Sequence, residues 1–76
     1  GEPGTRIEVF GGGEGKALEE VVSLVDNQGL KIVTLHIITP PGATEKNVVV
    51  HLGTEDVSQI LSDLEGKGYR VNMRKR

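Results

Sequence analysis

Two histidines, His36 and His51, are the residues of this chain best suited to bind a metal ion or to move a proton. Both lie in runs rich in β-branched residues, so both are expected on strands. If the two strands pair so that these positions meet, the imidazoles lie together and Glu8 is a possible third ligand. Zinc sites use three or four ligands. The sequence therefore predicts no metal site and no cofactor, with His36 and His51 as weak metal candidates.

A glycine-rich stretch, residues 11–16 (Gly-Gly-Gly-Glu-Gly-Lys), is the second feature with chemical potential. Glycine loops before a helix can hold phosphate groups on backbone N–H groups. A Walker loop needs four residues between its glycines and a hydroxyl residue after its lysine. Here Gly11 and Gly15 enclose three residues, and Ala17 follows Lys16. We expect a flexible connection that can hold an anion only weakly.

Composition argues against several classes of function. The chain has no cysteine and no Ser-His-Asp set with supporting context, so we predict that it is not an enzyme. The formal net charge is -2 with both signs interspersed, and Phe10 is the one aromatic residue expected on an open sheet face, so no nucleic-acid partner is expected. No apolar run spans a bilayer, so no membrane partner is expected. The lack of cysteine suits a cytoplasmic location.

Hydrophobic periodicity predicts six elements in the order β-α-β-β-α-β. Strands are predicted at residues 6–10, 31–39, 46–52 and 69–73. Helices are predicted at residues 16–27, ending at a left-handed Gly29, and at residues 55–65, with Thr54 as the N-cap. This order predicts an α+β, ferredoxin-like sandwich. Its four-stranded antiparallel sheet has the order 4-1-3-2, with both helices on one face.

The predicted sheet offers two surfaces for association. Val33, Leu35 and Ile37 of the second strand are expected under the helices. The opposite, uncovered face is expected to be mixed, with apolar residues at Phe10, Ile32, Ile38 and Val49. A partly apolar face and an unprotected edge strand both promote association. We therefore expect a homodimer through the strand 2 edge or through the uncovered face.

The 76 residues suit one domain. Residues 1–5 are polar turn formers, and we interpret them as a linker or an expression remnant. Residues 6–74 form the predicted domain, and residues 75–76 belong to a basic tail.

Several segments resemble an ACT domain. Residues 6–9 (Arg-Ile-Glu-Val), 16–22 (Lys-Ala-Leu-Glu-Glu-Val-Val) and 29–34 (Gly-Leu-Lys-Ile-Val-Thr) resemble the opening of that family, which reads strand, Asp-x-Pro-Gly-x-Leu, helix, Gly-x-Asn-Ile-x-Ser. Residues 54–71 resemble its second helix and last strand. The closest resemblance is to ACT modules that follow paired CBS domains in acetoin-utilisation-type proteins. It implies a regulatory, dimerising domain of a larger protein that senses an amino acid or another small anionic ligand.

The family's ligand loop departs from its pattern here. The family's Asp falls on Gly13, its Pro on Gly15 and its ligand-contacting Gly on Lys16. The Asn that precedes strand 2 in the family falls on Lys31. Lys16 obstructs the approach of a carboxylate to backbone N–H groups but adds a positive charge. The pocket is then either lost or retuned toward an anion, and the entropy cost of ordering the glycines favours loss. The candidate ligand-binding positions are Gly13, Glu14, Gly15, Lys16 and Lys31.

Two alternatives to a regulatory module stay open at this point. One is a purely structural interaction domain without a ligand. The other is a weak metal- or anion-binding module that uses His36 and His51.

Overall fold

The strands and helices follow the predicted order in the computed structural model, which describes residues 4–75. The strands are β1 (Thr5–Val9), β2 (Ile32–Ile38), β3 (Asn47–Leu52) and β4 (Val71–Lys75), and the helices are α1 (Gly15–Asn27) and α2 (Ser58–Gly66). The strands form one antiparallel sheet in the order β2-β3-β1-β4. This is the predicted 4-1-3-2 order, so the ferredoxin-like fold is confirmed, and β2 and β4 are its edges.

The sheet takes in one residue from each predicted terminal segment. Thr5 begins β1 and its backbone pairs with that of Lys75, which ends β4. Residues 1–3 of the predicted linker and Arg76 of the predicted tail lie outside the described residues.

The hydrophobic core lies between the two central strands and the helices. Alternate residues of β1 and β3 point toward the helices because side chains alternate along a strand. The fully buried apolar residues are Ile7, Val9, Val21, Val25, Val48, Val50, Leu52, Val57, Ile60 and Leu64. Burial of one such side chain contributes roughly 1.5–3 kcal/mol. The edge strands add only partly buried residues to this cluster, so β1 and β3 supply the buried residues that the sheet contributes to the core.

A bulge near the start of β2 changes which residues face the helices. Ile32 pairs with Leu52 and Thr34 pairs with His51, so Val33 is an extra residue on β2. Residues paired across antiparallel strands share a face. Ile32 therefore lies on the helix side of the sheet, and its predicted place on the uncovered face is wrong.

Beyond the bulge, β2 has its predicted orientation. Leu35 pairs with Val50 and Ile37 pairs with Val48, so both lie on the helix side. Leu35 packs against the core, whereas Ile37 stays 41% exposed. The helices therefore cover the centre of the sheet better than the outer part of this edge.

Both helices end at a glycine with a left-handed backbone. Gly29 has φ +68°, as predicted, and the N–H of Leu30 donates to the carbonyl of Val25 at 3.3 Å. Gly68, with φ +94°, ends α2 in the same way. These Schellman caps satisfy helix carbonyls that have no partner inside the helix.

The start of α2 differs from the prediction. Val57 occupies the N-cap position, without a capping side chain, whereas Thr54 was expected there. The Thr54 hydroxyl accepts a hydrogen bond from the Asp56 N–H at 3.2 Å, and the Asp56 carboxylate accepts one from the Ser58 N–H at 3.4 Å. Side chains of this kind compete with the helix for backbone groups. They form two turns ahead of the helix, so α2 begins later than predicted.

A hydrogen bond joins α1 to the connection between α2 and β4. The Tyr69 hydroxyl donates to Glu20 Oε1 at 2.8 Å, and Lys67 Nζ lies 3.4 Å from Glu20 Oε2. The Tyr69 bond is the main cause that lowers the pKa of Glu20. Burial, followed by the bond to Glu20, raises the pKa of Tyr69. Tyr69 was predicted in the last strand, but it lies before β4, where its hydroxyl links the α2–β4 connection to α1.

Replacement of Tyr69 by Phe should flatten the dependence of stability on pH at both ends. Glu20 has a folded pKa below its ordinary 4.5, so its contribution is present above that pH and is lost as the pH falls through the folded pKa. Tyr69 has a folded pKa above its ordinary 10.0, so its contribution is present below that pH and is lost as the pH rises through the folded pKa.

Urea unfolding at a series of pH values from below 4.5 to above 10.0 measures the free energy of unfolding of each variant. Glu20→Gln is the matched control and should flatten the acid limb in the same way. A Tyr69→Phe curve parallel to that of the wild type would show that the bond does not couple to folding.

Candidate functional site

The uncovered face of the sheet carries most of its polar residues in two rows across the strands. Residues that pair directly form each row, so their side chains are neighbours. The first, here called the basic row, is Arg74, Arg6, His51 and Thr34. The second row is Asn72, Glu8, Val49 and His36. This face is mixed, as predicted, but charged groups occupy its β1–β4 half.

The two histidines do not meet across the sheet. His36 pairs with Val49, and His51 pairs with Thr34, so the pairing on which the metal hypothesis depends does not form. His51 is 5% exposed, and its Nε2 atom has no hydrogen-bond partner among the described residues. Within residues 4–75, no three His, Cys, Asp or Glu side chains come together as metal ligands. The geometry gives no support to His36 and His51 as a metal site.

Asn47 organises the end of the sheet where β1 leads toward α1. It is 4% exposed, its Oδ1 accepts the Gly11 N–H at 3.0 Å, and its Nδ2 donates to Glu8 Oε2 at 2.9 Å. One side chain thus fixes the turn after β1 and holds a carboxylate on the uncovered face. Asn47 is not among the residues predicted to be functional. The available signal was an amide residue at the first position of a strand that continues with three valines.

Two concavities lie on this side of the molecule. One, of about 210 Å³, is lined by Arg6, Glu8, Val49, Asn72 and Arg74. The other, of about 450 Å³, lies between Phe10, Arg70 and the loop that joins β2 to β3. There the Arg70 guanidinium lies 4.3 Å from the centre of the Phe10 ring, in a cation–π contact.

The glycine-rich loop is packed, so the prediction of a flexible connection is wrong. Gly12 and Gly13 are buried, and the Gly13 N–H donates to the Lys46 carbonyl at 3.0 Å. A Cβ atom on Gly13 would lie 2.8 Å from the Asn47 carbonyl oxygen. On Gly12 it would lie 3.0–3.3 Å from three core valines. These glycines allow the loop to approach β3 closely.

The predicted ligand-binding positions fall at two places. Gly13 is buried, whereas Glu14, Gly15 and Lys16 are exposed where α1 begins. Lys31 lies at the other end of the sheet, where its carbonyl accepts the N–H of the residue after β3, at 2.9 Å. A single chain therefore brings residues 13–16 together and keeps Lys31 apart from them.

The element order and the sheet order define a ferredoxin-like βαββαβ fold. No family model matches the chain, and no curated protein matches it.

Two solved structures are similar over 97% of the chain. One is protein BT0572 from Bacteroides thetaiotaomicron, with a TM-score of 0.69 and 13% identity, and the chain covers 49% of it. The other is the ligand-free regulatory subunit of aspartate kinase from Thermus thermophilus, with a TM-score of 0.70 and 16% identity, and the chain covers 52% of it. At this identity the likeness shows the fold, and the chain spans about half the length of these neighbours.

Within the described residues, neither α1 nor α2 is long and apolar enough to cross a membrane.

Replacement of Gly13 by Ala should destabilise the domain by roughly 1–3 kcal/mol, because the new methyl group has to displace the backbone of β3. Gly66→Ala is the matched control, since a Cβ atom there meets nothing within 4 Å, and its stability should stay equal or rise slightly. Urea unfolding of both variants measures the difference. Equal stability of Gly13→Ala and wild type would contradict the packed loop.

Proposed function

We propose that this domain is a non-catalytic regulatory module of a larger protein that pairs with a second copy through the edge of β2. In this proposal, the pairing responds to an amino acid or another small anionic ligand. The observation that carries the proposal is the chemistry of β2 itself. It is a seven-residue edge strand, Ile-Val-Thr-Leu-His-Ile-Ile, without Lys, Arg, Asp or Glu.

The two edges of the sheet differ in how well they resist pairing. Proteins protect edge strands with short length and with charged residues, because unpaired backbone groups attract other strands. The β4 edge has five residues and includes Arg74. The β2 edge is longer and has no Lys, Arg, Asp or Glu, so it is the edge that suits a partner strand.

Exposed apolar side chains concentrate on the same edge. Among the described residues, Ile32, Ile37 and Ile38 of β2 and Met73 of β4 are the large apolar side chains that stay exposed. A second copy along β2 buries three of these from each chain. The uncovered face, the other predicted dimer surface, places Arg6 beside Arg74, and packing two such faces would desolvate like charges. The edge is therefore the better dimer surface.

Pairing through β2 also explains how distant ligand positions could form one site. Two copies related by a two-fold axis place their β2 strands antiparallel. Lys31, at the start of one β2, then approaches the end of the other, where Lys46 Nζ donates to Thr39 Oγ1 at 3.4 Å. The Lys46 carbonyl holds Gly13. Lys31 of one copy and residues 13–16 of the other would meet at this place, with lysines suited to an anion.

Two observations support the proposal that this domain is part of a larger protein. Both solved neighbours are about twice as long as this chain, and one of them is described as a regulatory subunit. The sequence resemblance adds a more specific proposal, a parent protein of the acetoin-utilisation type in which a CBS pair precedes this domain. A cytoplasmic location remains a prediction.

Ile37→Glu should weaken dimerisation at least tenfold, because it places two carboxylates in an apolar strand pairing. Met73→Glu is the matched control, since both side chains are 41% exposed and lie on opposite edges of the sheet. Sedimentation equilibrium over a range of concentrations measures the association. A monomeric wild type, or dissociation by Met73→Glu alone, would contradict the β2 interface.

Titration of the wild-type dimer with amino acids should shift the amide resonances of residues 11–18 and 29–32 in NMR spectra. The Ile37→Glu monomer should lack this response, because one chain does not bring both segments together. A wild type that dimerises without any response would favour the alternative of a purely structural interaction domain.

A further inference from the structure

We propose that the β1–β4 half of the uncovered face binds a small oxyanion, a carboxylate or phosphate group, between Arg6 and Arg74. This site lies away from the β2 edge and from the α1 loop. It therefore goes beyond the proposed dimer and its ligand.

Two like charges lie side by side on this face, and neither forms an ion pair within the described residues. Arg6 and Arg74 are direct partners across β1 and β4. Like charges in this position repel and destabilise the pairing. The ion pair formed within residues 4–75 joins Lys67 to Glu20, and neither guanidinium of the concavity takes part in one. A bound anion would remove this repulsion.

Glu8 is the carboxylate that lines the same concavity. Its Oε2 atom accepts a hydrogen bond from Asn47 Nδ2 at 2.9 Å, on the side away from β4. Asn47 is buried and holds Gly11 as well, so this bond is built into the fold. Glu8 therefore remains near the arginines without pairing with them. Its charge opposes an incoming anion, which limits affinity and provides a diagnostic variant.

The size of the concavity and its hydrogen-bond donors suit a small oxyanion. The concavity of about 210 Å³ is smaller than the roughly 300–1,000 Å³ of sites for drug-sized ligands. It suits a single carboxylate or phosphate group better than a nucleotide. Guanidinium groups recognise such oxygens with paired N–H donors. The Asn72 amide adds a neutral donor, and Val49 supplies an apolar wall.

NMR titration of the 76-residue chain tests the site, with sodium phosphate and sodium acetate as separate probes. Sodium chloride at matched ionic strength provides the baseline. We expect saturable amide shifts in residues 5–9 and 71–74 with phosphate, acetate or both, and the ratio of the two affinities identifies the preferred oxyanion.

Four variants make the test specific. Arg6→Gln and Arg74→Gln should each weaken binding about tenfold, since each removes a charge-assisted donor. Glu8→Gln should strengthen it roughly threefold, because a nearby like charge is removed. Arg70→Gln is the control, since Arg70 lies over Phe10 and outside this concavity, and its affinity should be that of the wild type.

Three results would overturn the proposal. The first is amide shifts with phosphate and acetate that are no larger than those with chloride. The second is wild-type affinity in both Arg6→Gln and Arg74→Gln. The third is a loss of affinity in Arg70→Gln as large as the loss in those two variants. The Ile37→Glu variant separates this proposal from the dimer. Binding that persists in that variant supports an independent site, and binding lost together with dimerisation contradicts it.

Discussion

The close approach of the glycine loop to β3 is the constraint on which the rest of the structure depends. Gly12 fits against core valines, and Gly13 lies against the backbone of Lys46 and Asn47. This contact determines where the chain leaves the sheet and where α1 begins. Without it, α1 could not settle over the core at the depth that buries Val21 and Val25. Fold stability and the geometry of the α1 loop therefore depend on the same few atoms.

Asn47 extends this constraint to the opposite side of the sheet. Its amide bonds to the loop through Gly11 and to the uncovered face through Glu8. A buried side-chain amide that satisfies both of its groups is costly to replace, because either lost partner leaves a polar atom unsatisfied. The charge pattern near Arg6 is thus set by the same residue that fixes the turn after β1.

The fold was predictable because its signals are local and periodic. The alternation of Ile7 and Val9 with charged residues in β1, and the helical spacing that includes Val21 and Val25, specify element type and buried face directly. The left-handed Gly29 could likewise be predicted from its place after a helix.

The bulge at Val33 could not be predicted in this way, because an extra residue changes register without breaking the run of β-branched residues. It moved Ile32 to the other face. The start of α2 was misplaced because Thr54 and Asp56 satisfy turns as readily as a cap.

Long-range pairing accounts for what sequence reasoning missed at the site. Whether His36 meets His51 depends on register, and no property of either residue reveals it. The adjacency of Arg6 and Arg74 comes from opposite ends of the chain and emerges only once β4 lies beside β1. The glycines were misjudged for a different reason. Glycine has no side chain, so it occurs both in flexible loops and in tightly packed ones. The atoms that surround it determine which of the two applies.

The unequal edges of the sheet limit how far strand addition can proceed. A molecule with two attractive edges can add copies without end and grow into a fibre. Of the two edge strands, only β2 lacks charged residues, so the proposed two-fold dimer would use the attractive edge of both chains. The resulting eight-stranded sheet would terminate at both ends in β4, where Arg74 discourages further addition. In the proposed dimer, the composition of the two edge strands would therefore prevent polymerisation without a covering helix or a bulky loop.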